Sequence, residues 1–224
     1  MPSRKVDLRE IYRARFSAAA REAKERVWKV LVEAYFQQWV RPADTVLDLG
    51  CGAGEFLKYL CCGRKIGVDL NPENGQALPS DVEFHAGQAS QLGFLAGESV
   101  DLVFASNLLE HLADPEEVEK LIEEAWRVLT WGGHLLAMGP NLRFLGGSYW
   151  DFWDHRVPIT DRSLVEVLGV LGFRVVDCIP RFLPYTTRSA FPQRPWLVRG
   201  YLKMPWAWPL LGRQFLIRAS KSRE

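Results

Sequence analysis

At 224 residues, 48% of them apolar and 25% charged, the chain has the size of one domain with additions and enough apolar content for a sizeable core. No run of 18 apolar residues occurs, so no transmembrane helix is expected. The charged N-terminus holds no apolar secretory segment, which leads to an expected cytoplasmic location. Cys51, Cys61, Cys62 and Cys178 lack paired metal spacing and read as reduced thiols, so no metal site is expected.

The net charge of +1 conceals an asymmetry. Residues 1–41 hold ten Lys/Arg against five Asp/Glu, residues 42–180 nine against twenty-one, and residues 181–224 nine against one. An acidic middle suits a cationic ligand, and basic ends suit an anionic partner. The bland competitor is a chance difference between solvated faces.

Leu8 to Phe16 and Arg21 to Trp39 read as helices, the second with a broad apolar face through Val27, Leu31, Ala34 and Tyr35. Arg13, Arg15, Arg21, Lys24 and Arg26 cluster at their junction. Residues 1–41 are therefore read as a helical extension and 42–224 as the main domain, with Pro42 and Asp44 breaking the chain between them. Val46, Leu47 and Leu49 then form a short apolar run before Gly50, Gly52 and Gly54, and Glu55 to Leu60 resumes helical spacing. A strand, a glycine turn and a helix make a nucleotide-binding unit, its ligand lying outside the strand's carboxyl end. A dinucleotide fingerprint wants a third glycine where Glu55 stands, and Asp48 puts an acid inside the strand.

The stretch Val46-Leu-Asp-Leu-Gly-Cys-Gly-Ala-Gly-Glu55 resembles the first motif of class I S-adenosylmethionine (SAM)-dependent methyltransferases. The resemblance implies that the backbone of Gly50, Cys51, Gly52 and Gly54 packs under the SAM tail. It also implies that Asp48 orders the loop or reaches the ammonium.

Lys65 to Leu70 is the second expected strand. Asp69, beside Leu70 at its end, suits the two ribose hydroxyls of a nucleoside, with a turn-capping role at Asn71-Pro72 as the alternative. Residues 71–81 are rich in Pro, Gly and Asn, so the usual crossover helix is expected to be short or missing. Val82 to His85 is the third strand. Gln88 and Ala89 follow, where relatives often carry Gly-Asp-Ala, and they are assigned to the adenine with less weight than the ribose contact. Val100 to Ala105 is the fourth strand, followed by Ser-Asn-Leu-Leu-Glu-His-Leu, a second stretch that resembles the same family, with Asn107 where the strand opens into the cleft. No Asn-Pro-Pro-Tyr run follows it, which argues against the nucleic-acid amino-methylating enzymes that carry one. Glu110 and His111 are adjacent and on a helix would diverge by about 100°, which favours structural roles for both.

Asp114-Pro115-Glu116 starts a helix that Trp131-Gly132-Gly133 should end, and His134 to Met138 is the fifth strand. The run Arg-Val-Leu-x-x-Gly-Gly-x-Leu-Leu again resembles the same family, so three motifs agree across residues 45–141. Ser148 to Arg156 is dense in aromatic and titratable groups, in the position of a substrate loop. His155, beside Asp154 and Asp151, is the candidate proton acceptor. Thr160-Asp161 caps the next helix, and Phe173 to Ile179 is the sixth strand.

Residues 181–210 interleave Phe182, Tyr185, Phe191, Trp196, Tyr201, Trp206 and Trp208 with Arg188, Arg194, Arg199 and Lys203, cut by five prolines, before a closing strand from Gly212 to Ala219. Such a segment suits a cap on the cleft or a rest on an anionic membrane surface. Together with Tyr-Trp-Asp-Phe-Trp-Asp-His it resembles, more weakly, bacterial methyltransferases of polysaccharide biosynthesis.

The expected fold is a three-layer, Rossmann-like α/β class I methyltransferase with a seven-stranded, mostly parallel sheet and one antiparallel strand. The resemblance implies methyl transfer from SAM, leaving S-adenosylhomocysteine, to a small-molecule or glycan acceptor, phosphate-bearing if the basic tail binds it. Nucleic acid is disfavoured as a partner. RNA methylation, a non-catalytic SAM-binding subunit and a nicotinamide-dependent reductase are the rivals. The sequence leaves the oligomeric state open.

Overall fold

A computed structural model describes residues 18–185 and 194–223. The expected helix Leu8–Phe16, with Arg13 and Arg15, lies outside them, as do Arg188, Phe191 and Pro192. Seven strands form one sheet: β1 (Thr45–Leu49), β2 (Arg64–Asp69), β3 (Val82–Ala86), β4 (Val100–Ser106), β5 (Leu129–Pro140), β6 (Arg174–Ile179) and β7 (Gln214–Ser220). Their order is β3-β2-β1-β4-β5-β7-β6. Only β7 runs antiparallel, pairing with β5 on one side and β6 on the other. The central strands are apolar throughout because both faces are covered: Val46, Leu47 and Leu49 of β1 and Leu102, Val103 and Phe104 of β4 are all buried.

On one face lie α3 (Pro115–Val128) and α5 (Asp161–Val170), which bury Leu121, Ile122, Ala125, Leu164 and Leu168 against Val103, Leu135 and Ile217. Both start as the sequence predicts. The Asp114 side chain accepts from Glu117 N at 2.9 Å, and Thr160 with Ser163 forms a reciprocal capping box. The opposite face carries α1 (Ala18–Ala34), the single-turn α2 (Glu55–Lys58), α6 (Pro195–Leu202) and α7 (Trp208–Leu211). Its core is aromatic. Phe56 stacks on Phe104 at 4.0 Å, and Phe36 meets Phe104 at 5.4 Å and Phe182 at 6.3 Å. The remaining short helix, α4 (Leu142–Leu145), follows β5.

Two helix ends differ from the sequence expectation, and one connection agrees with it. The helix expected to run to Trp39 ends at Ala34, and a 3-10 turn, Phe36–Trp39, redirects the chain so that Phe36 enters the core. The helix expected to end near Trp131 stops at Val128, because Leu129 already pairs with Val100 across an irregular register. Residues 71–81 hold a 3-10 turn, Pro72–Ala77, capped by the Asn71 side chain on Glu73 N, in agreement with a missing crossover helix.

The described part of the aromatic and basic segment packs on α1. Tyr201 Oη donates to Phe182 O at 2.6 Å, Trp208 Nε1 donates to Tyr201 O at 3.1 Å, and Arg199 pairs with Glu33 at 3.8 Å. Among the described residues no helix is long and apolar enough to cross a membrane.

Candidate functional site

Strand order reverses between β1 and β4, so their carboxyl ends open a crevice, the place where ligands bind in open α/β sheets. The β1–α2 turn fills its floor. Gly50, Gly52 and Gly54 have φ of 68°, 53° and 75°, a region that side chains disfavour. Gly50 N and Cys51 N donate to Val68 O at 2.8 and 3.0 Å, which fixes the turn to β2. A Cβ at Gly50 would lie 2.9 Å from Leu108 Cδ1, and one at Gly54 would lie 2.1 Å from Leu78 Cδ2. At Gly52 the nearest atom to such a Cβ is Glu55 Oε2 at 3.8 Å, so this glycine alone of the three has room for a Cβ without a clash.

Asp69 closes the turn from the β2 side. Its Oδ2 accepts from Gly52 N at 2.9 Å and its Oδ1 from Asn71 N at 2.8 Å. Each carboxylate oxygen keeps a second lone pair. Asp48 lies buried beneath, and burial holds its carboxyl well above the ordinary range, with repulsion from Glu55 and Asp69 adding to this and Lys24 opposing it. Lys24 meets Glu55 at 2.8 Å. Burial also pushes up the Cys51 thiol, with Asp48 and Asp69 contributing. Glu55 and Asp69 thus bring carboxyl groups to the rim of the turn above the buried Asp48, an arrangement suited to an amino-acid tail carrying positive charge.

The other residues assigned to the cofactor lie along the same strand ends. Leu70 is 72% exposed, an apolar face available to a ring. Gln88 is exposed, its Oε1 accepting from Gln91 Nε2 at 2.7 Å, and Ala89 is buried beside it. Asn107 has φ of 50°, which asparagine tolerates better than most residues. Its N donates to Met138 O at 2.8 Å and its Nδ2 to Ser106 Oγ at 3.0 Å.

Past Asn107, the expectation that Glu110 and His111 diverge is corrected. They sit on a 3-10 turn, Leu109–His111, and His111 Nε2 lies 3.8 Å from Glu110 Oε1. His155 joins them, its ring centroid 4.9 Å from that of His111, stacked on Phe152 and edge-on to Tyr149. Asp154, expected beside His155, is turned to His111: its carbonyl oxygen lies 3.1 Å and its carboxylate 3.3 Å from His111 Nδ1. The loop is locked there, since Arg156 N and Val157 N both donate to Glu110 O, at 2.8 and 3.2 Å. Tyr149 Oη bridges Val157 O and Ile159 N. Burial raises the Glu110 carboxyl, with His111 opposing. Donor atoms of Glu110, His111 and His155 all lie within 4.8 Å of one another. Trp150 and Trp153 flank the cluster in sequence and are 51% and 75% exposed. Glu110 is the residue that sequence reasoning did not place beside His155. Its signal was the strong match of Ser-Asn-Leu-Leu-Glu-His-Leu after β4.

Sheet order, glycine turn and strand-end carboxylate together define the Rossmann-like class I methyltransferase fold, whose cofactor is SAM. Residues 47–137 match the family model of a methyltransferase domain. The whole structure is similar to the crystal structure of a SAM-dependent methyltransferase from Archaeoglobus fulgidus, with a TM-score of 0.66 over 88% of this chain and 94% of that one, at 23% identity. In sequence it is 35% identical over 169 residues to an uncharacterized 37.1 kDa protein in transposon Tn4556 of Streptomyces fradiae, covering 66% of this chain and 47% of that protein. It is 27% identical over 190 residues to the ubiquinone/menaquinone biosynthesis C-methyltransferase of Sinorhizobium fredii, covering 80% of this chain and 66% of that one. The chain spans less than half the length of the first curated relatives it matches.

Proposed function

We infer that the chain transfers the methyl group of SAM to an oxygen of a small-molecule or glycan acceptor, in the synthesis of a polysaccharide or of the cell envelope. The observation that carries methyl transfer is the β1–α2 turn, where Gly52 is uncrowded while Asp69 holds its amide. SAM, when bound, supplies a methyl group activated by a sulfonium. Asp69 uses its remaining lone pairs on the ribose hydroxyls, Glu55 and Asp69 favour the cationic tail, and Asp48 orders the loop beneath. Leu70 offers an apolar surface to the base, with Gln88 and Ala89 at its edge. Asn107 stands at the mouth of the acceptor side. The catalytic contribution is alignment of donor and acceptor, which removes entropy from the barrier.

An acceptor bearing sugars is supported by the resemblance of the 148–156 loop to polysaccharide-associated enzymes and by the exposed Trp150 and Trp153, whose rings suit a sugar face. The basic residues beyond 181 suit a phosphate on that acceptor. His155, expected to take the acceptor's proton, belongs to one cluster with Glu110 and His111.

Calorimetry with SAM, S-adenosylhomocysteine and NAD, followed by a methylation screen over glycans and RNA, tests this reading. SAM and its product should bind, NAD should not, and a glycan should be methylated. Asp69→Ala should weaken SAM by about 10–100-fold, the ~1.5–3 kcal/mol of hydrogen bonds to a charged group. Unchanged affinity in the folded variant removes the ribose assignment. Methylation of RNA with steep salt dependence overturns the acceptor class.

A further inference from the structure

The geometry points to a divalent-cation site formed by Glu110, His111 and His155 at the carboxyl end of β4, taking an ion of the zinc, manganese or iron class and an oxygen-bearing acceptor in its open positions.

Two histidines and one carboxylate are a donor set suited to such ions, with room left for further ligands. Here the three donors come from a strand-end turn and a loop that the backbone locks together through the Glu110 carbonyl. Their candidate ligand atoms lie within 4.8 Å of one another, and His111 Nε2 stands 3.8 Å from Glu110 Oε1. An ion held at ~2.0–2.2 Å needs neighbouring donors ~3–3.5 Å apart, so that pair must close by a few tenths of an ångström and the widest pair by about an ångström.

Two further features favour an ion there. Glu110 Oε1 is buried and has no hydrogen-bond partner, a costly state for a carboxylate that a cation relieves. Asp154 meets His111 Nδ1 with both its carbonyl and its carboxylate, which puts the ring proton on Nδ1 and turns the Nε2 lone pair to Glu110. That is the carboxylate–histidine arrangement that orients metal ligands from behind. Access comes through His111, whose side chain is 18% exposed against 3% for Glu110.

Sequence spacing predicts no metal site because it considers only the cysteines, whereas these donors converge only in the fold. The cation's role in holding the acceptor rests on the methyl-transfer reading; the site itself does not. It also gives His155 a place as a ligand in a set of three, in exchange for one as a lone base.

Chelator-stripped protein dialysed against Zn²⁺ or Mn²⁺ alone, with bound metal counted, and titrated with Co²⁺ while its visible absorption is recorded, tests the site. One equivalent should bind, and the Co²⁺ bands should report mixed nitrogen and oxygen ligation. The isosteric Glu110→Gln and the variant His155→Ala should each lower affinity at least about tenfold, and Asp154→Asn by about 10–100-fold. His85→Ala, outside the cluster, should leave it unchanged. No stoichiometric metal in the folded parent, or equal affinity in Glu110→Gln, overturns the site even if His155→Ala fails to fold. SAM calorimetry on the same samples separates the two ideas. SAM binding without metal sinks the site alone, and metal binding without SAM sinks the methyl-transfer reading alone.

Discussion

At the scale of single residues, Asp48 is held against its own preference. Its carboxyl is buried and pushed upward first by that burial and then by Glu55 and Asp69. A group whose folded pKa lies above its unfolded one contributes stability that is fully present below the unfolded value and is lost as pH rises through the folded value. Asp48→Asn keeps the shape and removes the titration. We predict that the parent loses stability relative to Asp48→Asn as pH climbs above the ordinary carboxylate range, read by denaturant unfolding at a series of pH values. A difference between the two proteins that does not vary with pH would show that burial of this acid is compensated in the fold. The same residue explains why the glycine turn and the strand-end carboxylate that holds it were legible in the sequence. Asp48, the three glycines and Asp69 lie within 22 consecutive positions, and local backbone rules suffice to join them. Glu110, His111 and His155 had no such help. Asp154 stands 43 residues beyond His111, and only the 148–157 loop folding back over β4 joins them.

At the scale of elements, the capped helices were readable because Asp114-Pro115 and Thr160-Asp161 state their own starts. The end of α1 and the start of β5 were not, because each is decided by a partner distant in sequence. Val100 captures Leu129, and a pocket of rings captures Phe36. Phe36 is 1% exposed and contacts the rings of Trp28, Tyr35, Trp39, Phe56, Phe104 and Phe182. Removing it leaves a cavity that this crowded layer cannot readily close. We predict that Phe36→Ala costs ~3–5 kcal/mol of unfolding free energy, measured by chemical denaturation. A loss under ~1 kcal/mol would mean that α1 and the 3-10 turn are docked by other contacts.

At the scale of the whole molecule, the segment from 194 to 211 has two faces. Tyr201, Trp208 and the nearby Phe182 tie it to α1, while Trp196, Trp206 and Leu210 are 66%, 70% and 69% exposed. Arg194, Arg199 and Lys203 accompany the exposed set in sequence. Aromatic and basic side chains together suit the boundary of an anionic bilayer. We predict that the protein sediments with vesicles containing phosphatidylserine at low salt, and that the Trp196→Ser/Trp206→Ser double variant binds them at least about tenfold more weakly. Equal sedimentation of parent and variant, or none by either, would assign the exposed rings to the acceptor or to solvent.

The insertion of β7 between β5 and β6 also governs the protein's own synthesis. Within the sheet, β6 has hydrogen-bonded partners only on β7, and β7 also covers the open side of β5. Translation emits β6 first, then the described helices α6 and α7, and only afterwards β7. Until that strand leaves the ribosome, two strand edges stay unsatisfied and α5 has only part of its floor. Exposed edges of this kind invite pairing with other chains. The nascent protein is therefore most vulnerable late, when most of its domain has emerged, and a holding chaperone would do the most for its yield in that interval.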